Sequence, residues 1–139
     1  MFSAPLGNWA RAFALFAGGG EQPEARHNAC QRIRKSIAAK PLYIAGHDRA
    51  CSAINSAYGE AITVKTGAEG VYSAAFHELG LGAVLKARDG NKRGAEVAIG
   101  AVIRALGYPT DGLVKNFFEP KVLNWAGEEV GDITVPQFL

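Results

Sequence analysis

Three short apolar segments followed directly by one long amphipathic one, all between residues 61 and 106, restrict the fold more than any other feature of this sequence. Segments 61–65, 71–76 and 81–87 are rich in β-branched or small apolar residues and are separated by glycine-bearing turns, the pattern of short strands. Connections this short join antiparallel neighbours, because a parallel pair needs a crossover of a dozen residues or more. The Asp89-Gly90 turn then introduces a helix over residues 91–106. Its polar face is Arg93, Glu96, Gly100 and Arg104, and its other faces are almost wholly apolar. Such a helix has to lie against a sheet. The order β-β-β-α predicts an α+β fold, with an antiparallel sheet packed by helices.

Upstream of the strands the pattern is helical. One helix starts near Pro5 and ends at Gly18-Gly19-Gly20. Within it Leu6, Trp9, Ala10, Phe13 and Phe16 recur at helical spacing, which predicts a buried amphipathic helix. A second covers residues 23–39, with Ala29, Ile33 and Ile37 as its apolar line, Arg26, Arg32, Arg34 and Lys35 over the remaining surface, and Pro41 as its stop. A short apolar stretch, 42–45, leads to Gly46, and a third helix fits residues 47–57, closed by Gly59. Downstream, Tyr108-Pro109 opens a connection with a helical turn around residues 113–118. Segments 121–125 and 129–135 then flank Ala126-Gly127 as a hairpin. The chain divides into a helical portion, 1–59, the β-β-β-α unit, 60–106, and a tail, 107–139, within a single domain or domain fragment.

Composition removes several classes of function. With 139 residues, 48% of them hydrophobic, the chain can bury a core. A net charge of +2 is too balanced to imply nucleic acid, and the basic stretch 26–40 lacks interleaved aromatics, so it reads as a solvated face. No run is long enough to span a bilayer, and no positive charge precedes the apolar first segment as a secretory signal requires. Cys30 and Cys51 form no disulfide framework, which points to a reducing, cytoplasmic setting. His27-x-x-Cys30 and His47-x-x-x-Cys51 place two soft ligands one turn apart on each of two helices. A small zinc-binding protein is therefore one function to test, against the simpler state of two buried thiols. His77 follows the second strand and is expected in a turn.

Lys65-Thr66-Gly67 ends the first strand. An ammonium there can hold a substrate carboxylate or tune a neighbouring nucleophile, the hydroxyl gives a directional hydrogen bond, and glycine lets substrate approach main-chain N–H donors closely. The triplet by itself equally suits an ordinary strand exit with a solvated lysine.

The surrounding text is more specific. Residues 62–76, then Leu79-Gly80-Leu81-Gly82, Leu85-Lys86, Asp89-Gly90, Arg93, Ala95-Glu96-Val97 and the closing Asn124-Trp125, Gly127 and Val130-Gly131 resemble one family closely. Ala45-Gly46, Arg49 and Cys51 are similar to its approach to the strand. That family is the asparaginase II type of L-asparaginase, similar in fold to serine β-lactamases and penicillin-binding proteins. The resemblance extends over residues 2–135 and is most specific in 64–71. It implies hydrolysis of the L-asparagine side-chain amide to aspartate and ammonia, with Lys65 catalytic and Thr66 and Gly67 substrate-binding.

In this family the nucleophile stands in a Ser-x-x-Lys motif in the preceding half of a longer chain. No Ser-x-x-Lys occurs in these 139 residues; Ser36 is followed by Lys40, one place late. The cysteine and lysine ligands of zinc-binding members also belong to that half, so no cofactor or metal is expected in this chain. The resemblance therefore implies a C-terminal portion, inactive without the nucleophile-bearing half. Its substrate would be L-asparagine, and its partner a complementing N-terminal half or a second copy. Loss of the first half is expected to expose sheet surface and an unpaired strand edge. The alternative is a catalytically silent binding or assembly module of the same family.

Overall fold

The computed structural model describes residues 3–136, so Met1, Phe2 and residues 137–139, at the ends of the divisions drawn above, lie outside the described residues. Strands β1 (Ile62–Thr66), β2 (Val71–Phe76) and β3 (Leu81–Lys86) form an antiparallel sheet in the order β1-β2-β3. With the helices around it, the architecture is α+β.

The register sets Val64 opposite Ala74 and Lys65 opposite Ser73, with Ala75 opposite Gly82. Because side chains alternate across a strand, Ile62, Val64, Tyr72, Ala74 and Phe76 share one face, and Thr63, Lys65, Ser73, Ala75 and Gly82 share the other. The first face is the core. Helix α4 (Ala50–Tyr58) covers it at β1 with Cys51 and Ile54, and α5 (Lys92–Ala105) covers it at β2 and β3 with Ala95, Ile99 and Ile103. The second face receives α1 (Leu6–Ala17), which crosses β3 at Gly82. A Cβ at Gly82 would stand 2.2 Å from the Ala10 carbonyl oxygen and 2.3 Å from the Ala14 nitrogen, so glycine is what admits the helix backbone to the strand.

Several expectations are corrected. Gly100 is not on the polar face of α5; it is buried, and a Cβ there would lie 2.4 Å from the Phe118 ring. Phe118 belongs to the short helix α6 (Lys115–Phe118), which docks on α5 at this notch. Helix α1 is not buried along its whole apolar stripe: Leu6 and Trp9 remain 46% and 43% exposed. In α2 (Glu24–Ala39) no residue is fully buried and Ile33 is exposed; Arg34 ties the helix to Glu60 at 2.8 Å. Segment 42–45 forms a one-turn helix, α3 (Leu42–Ala45). The third predicted helix begins at Ala50, leaving His47 in a turn whose Asp48 has φ +54°.

The tail forms the ribbon β4 (Lys121–Leu123) and β5 (Glu129–Asp132), shorter than predicted, with Trp125 fully exposed at its tip. At the outer edge of β1, side chains of α4 pair with the backbone of Val64 and Thr66, whereas β3, at the opposite edge, pairs with no strand beyond β2 among the described residues.

Candidate active site

Lys65 lies on the α1 side of the sheet near the open end of β1, exposed, and its Nζ donates to the neighbouring Thr66 carbonyl at 2.7 Å. Two grooves meet at this lysine. One, about 310 Å³, is almost wholly apolar, lined by Trp9, Phe13 and Phe16 of α1, Ile37 of α2 and Ile44 of α3. The other, about 390 Å³, is lined by Leu6, Trp9, Phe13, Thr66, Gly67, Ser73 and Val84. Trp9 and Phe13 form the ridge common to both. The three residues expected from the sequence, Lys65, Thr66 and Gly67, therefore line one groove together. Sequence reasoning missed Ser73, which the register sets directly across from Lys65 on the same face. The short β1–β2 turn was the available signal, because its length fixes that pairing.

The turn after Gly67 is held from several sides. Gly67 N–H donates to the Val71 carbonyl at 2.8 Å, Val71 N–H to Ala68 at 3.2 Å, and Ala87 N–H to Gly70 at 2.9 Å. Glu69 adopts a left-handed φ of +54°, and the Lys86 ammonium donates to its carbonyl. Glu69 therefore contributes to the shape of this turn through its backbone. Gly70, at φ +69°, has no room for a side chain, since a Cβ would lie 2.8 Å from Ala87.

On the core side of β1, Cys51 Sγ accepts the Thr66 N–H at 3.1 Å and lies 3.2 Å from the Tyr72 hydroxyl. Burial pushes the Tyr72 hydroxyl pKa well above the usual tyrosine range, with Cys51 and Glu96 acting in the same direction. Burial also raises the Glu96 carboxyl, against Lys92 and Arg49.

The His/Cys pairs do not assemble into a metal site. His27 bonds Gln31 at 2.8 Å, His47 is off the helix that carries Cys51, and Cys51 is buried among Thr66 and Tyr72. Among the described residues, no three His, Cys, Asp or Glu side chains converge as a ligand set.

His77 is structural. Its Nε2 pairs with the Thr63 hydroxyl at 2.8 Å and its ring meets Phe16 edge-on at 5.3 Å. Burial, reinforced by Arg34, lowers its pKa to about 4. The folded chain then binds fewer protons than the unfolded chain between about pH 6.5, the ordinary histidine value, and pH 4. Stability is full above that window and falls as pH drops through it. Denaturant midpoints measured from pH 7 to pH 4 should fall more steeply for the wild type than for His77→Gln; parallel curves would contradict this.

The arrangement defines a class first: an α+β protein whose lysine–hydroxyl–glycine strand end opens onto a groove beside a helix. Comparison with known families then identifies it further. The family model described as L-asparaginase II matches residues 1–135, and the chain belongs to that family. None of the curated proteins compared with the chain matches it. Membership supports an asparaginase-like, amide-hydrolysing function in broad terms. Among the described residues, no helix is long and apolar enough to cross a membrane.

Proposed function

We propose that this chain supplies the Lys65-Thr66-Gly67 wall of an L-asparagine amidohydrolase with a serine β-lactamase-like fold, and that the nucleophile comes from a Ser-x-x-Lys portion outside these 139 residues. The observation that carries the reading is the exposed Lys65 at the meeting of two grooves, one of them lined by Thr66, Gly67 and Ser73, in a chain of the L-asparaginase II family.

In the assembled site a serine oxygen attacks the side-chain amide carbon and a lysine of the nucleophile motif takes its proton. The carbon–nitrogen bond then breaks, ammonia leaves with a proton, and water hydrolyses the acyl-serine to free aspartate. Lys65 stands beside the substrate as a cation, holding its carboxylate and favouring the ionised nucleophile. Thr66 gives a directional hydrogen bond, and Gly67 admits substrate to main-chain donors that stabilise the oxyanion.

Exposed apolar residues support a missing neighbour. Leu6, Trp9, Ile33, Leu42 and Tyr43, on α1 to α3, are all exposed, as a surface that docks a further portion would be. The complementing N-terminal half is the partner this reading favours, and the cytoplasm is the setting that goes with it.

A second reading, a silent binding or assembly module, draws on the ribbon, where Leu123, Trp125 and Val130 stand exposed. The two separate on one experiment. Mixing the chain with a Ser-x-x-Lys-bearing portion of a complete family member should release ammonia from L-asparagine; a mixture that forms a complex yet stays silent favours the module.

A further inference from the structure

We propose that Asn55 and Cys51 of α4 are a positioning pair that fixes the outer edge of β1, and through it the direction in which Lys65 is presented. The inference rests on reading Lys65-Thr66-Gly67 as the site.

β1 is an outer strand of the sheet. At its two ends, Gly67 N–H donates to Val71 and His77 N–H donates to Ala61, so odd-numbered residues turn their backbone groups toward β2. Val64 and Thr66 turn theirs outward, on either side of Lys65. An edge of this kind ordinarily needs a neighbouring strand or a cover.

Asn55, fully buried, stands in for the strand. Its Oδ1 accepts the Val64 N–H at 3.0 Å and its Nδ2 donates to the Val64 carbonyl at 3.0 Å, so one amide satisfies both backbone groups. The same Nδ2 donates to the Cys51 carbonyl at 2.8 Å, which orients the amide. One helical turn earlier, Cys51, 2% exposed, takes the Thr66 N–H on its sulfur. Tyr72, kept protonated by burial, reaches that sulfur from β2.

Both outward positions flanking Lys65 are thereby tied to one helix. A rotation of β1 about its axis, which would swing Lys65 away from the groove, breaks both sets of bonds. An apolar side chain at position 55 would bury similar area but leave the Val64 N–H and carbonyl unpaired.

Amide hydrogen exchange on the whole chain tests the pair and needs no substrate, so it can succeed or fail independently of the asparaginase reading. In the wild type, the Val64 and Thr66 amides should be protected comparably to the central Ala74 amide. Cys51→Ala should speed Thr66 exchange about tenfold relative to Lys65, whose amide faces β2. Cys51→Ser, which restores an acceptor, should return Thr66 to near its wild-type rate. The Lys65 Cε–H resonance should shift in the alanine variant and return in the serine variant.

Thr66 and Val64 amides that exchange freely in the wild type overturn the proposal, whether or not the variants fold. So does Thr66 acceleration that only matches Lys65 and Ala74, which would be general loosening, or a serine variant that behaves like alanine.

Discussion

Lys65→Met, placed in an assembly that includes the Ser-x-x-Lys portion, is expected to lower L-asparagine turnover by roughly two to four orders of magnitude, the range for loss of an acid–base or charge-stabilising group. Methionine keeps the unbranched stem and removes only the ammonium. The fold should not notice, because Lys65 is exposed and its hydrogen bond goes to the adjacent Thr66 carbonyl. Ammonia release and the thermal midpoint, measured on the same preparations, separate the two effects. A midpoint near wild type with turnover sharply reduced is the expected pair. Unchanged turnover would remove Lys65 from the chemistry.

The largest structural effect is expected at Gly82. Alanine there would drive its Cβ into backbone atoms of Ala10 and Ala14, which cannot rotate away as a flexible side chain would. Either α1 lifts from the sheet or the strand distorts, at a cost of about 3 kcal/mol or more. Because α1 carries Trp9 and Phe13, the ridge of both Lys65 grooves, the same change should alter the surroundings of Lys65. Urea denaturation gives the cost, and Trp9 fluorescence reports the movement of α1. A variant as stable as the wild type would contradict the close approach.

These two residues differ in how far the sequence reveals them. Lys65 is legible because its surrounding text resembles a family, whereas the triplet alone suits any strand exit. The strands are legible because alternation and glycine turns are local properties of the chain. Gly82 is not, since nothing near it in sequence says that a helix some seventy residues earlier will cross at that point. Gly100 misleads for a related reason. Lacking a side chain, it falls among polar neighbours in a helical projection, and only the arrival of Phe118 makes it a packing notch. Ser73 needs the strand register before it stands beside Lys65. Asn55 carries no sequence signal for its part, because a buried amide pairing with a strand edge depends on how α4 lies against β1. The sequence marks Cys51 as a thiol and as a possible metal ligand, and its place is instead beneath Thr66.

The same contrast applies to the first helix. Its apolar spacing predicts burial, yet Leu6 and Trp9 remain open in the groove that Lys65 lines. A helix pattern reports which residues share a face, and not whether the partner for that face is in the same chain.

The central claim is that the wall and the nucleophile belong to different portions, and ammonia release from L-asparagine by this chain alone tests it most directly. The expected result is background, the same as for Lys65→Met. Turnover by the chain alone at the rate of a complete family member would contradict the account, and would require the nucleophile to be found among these 139 residues.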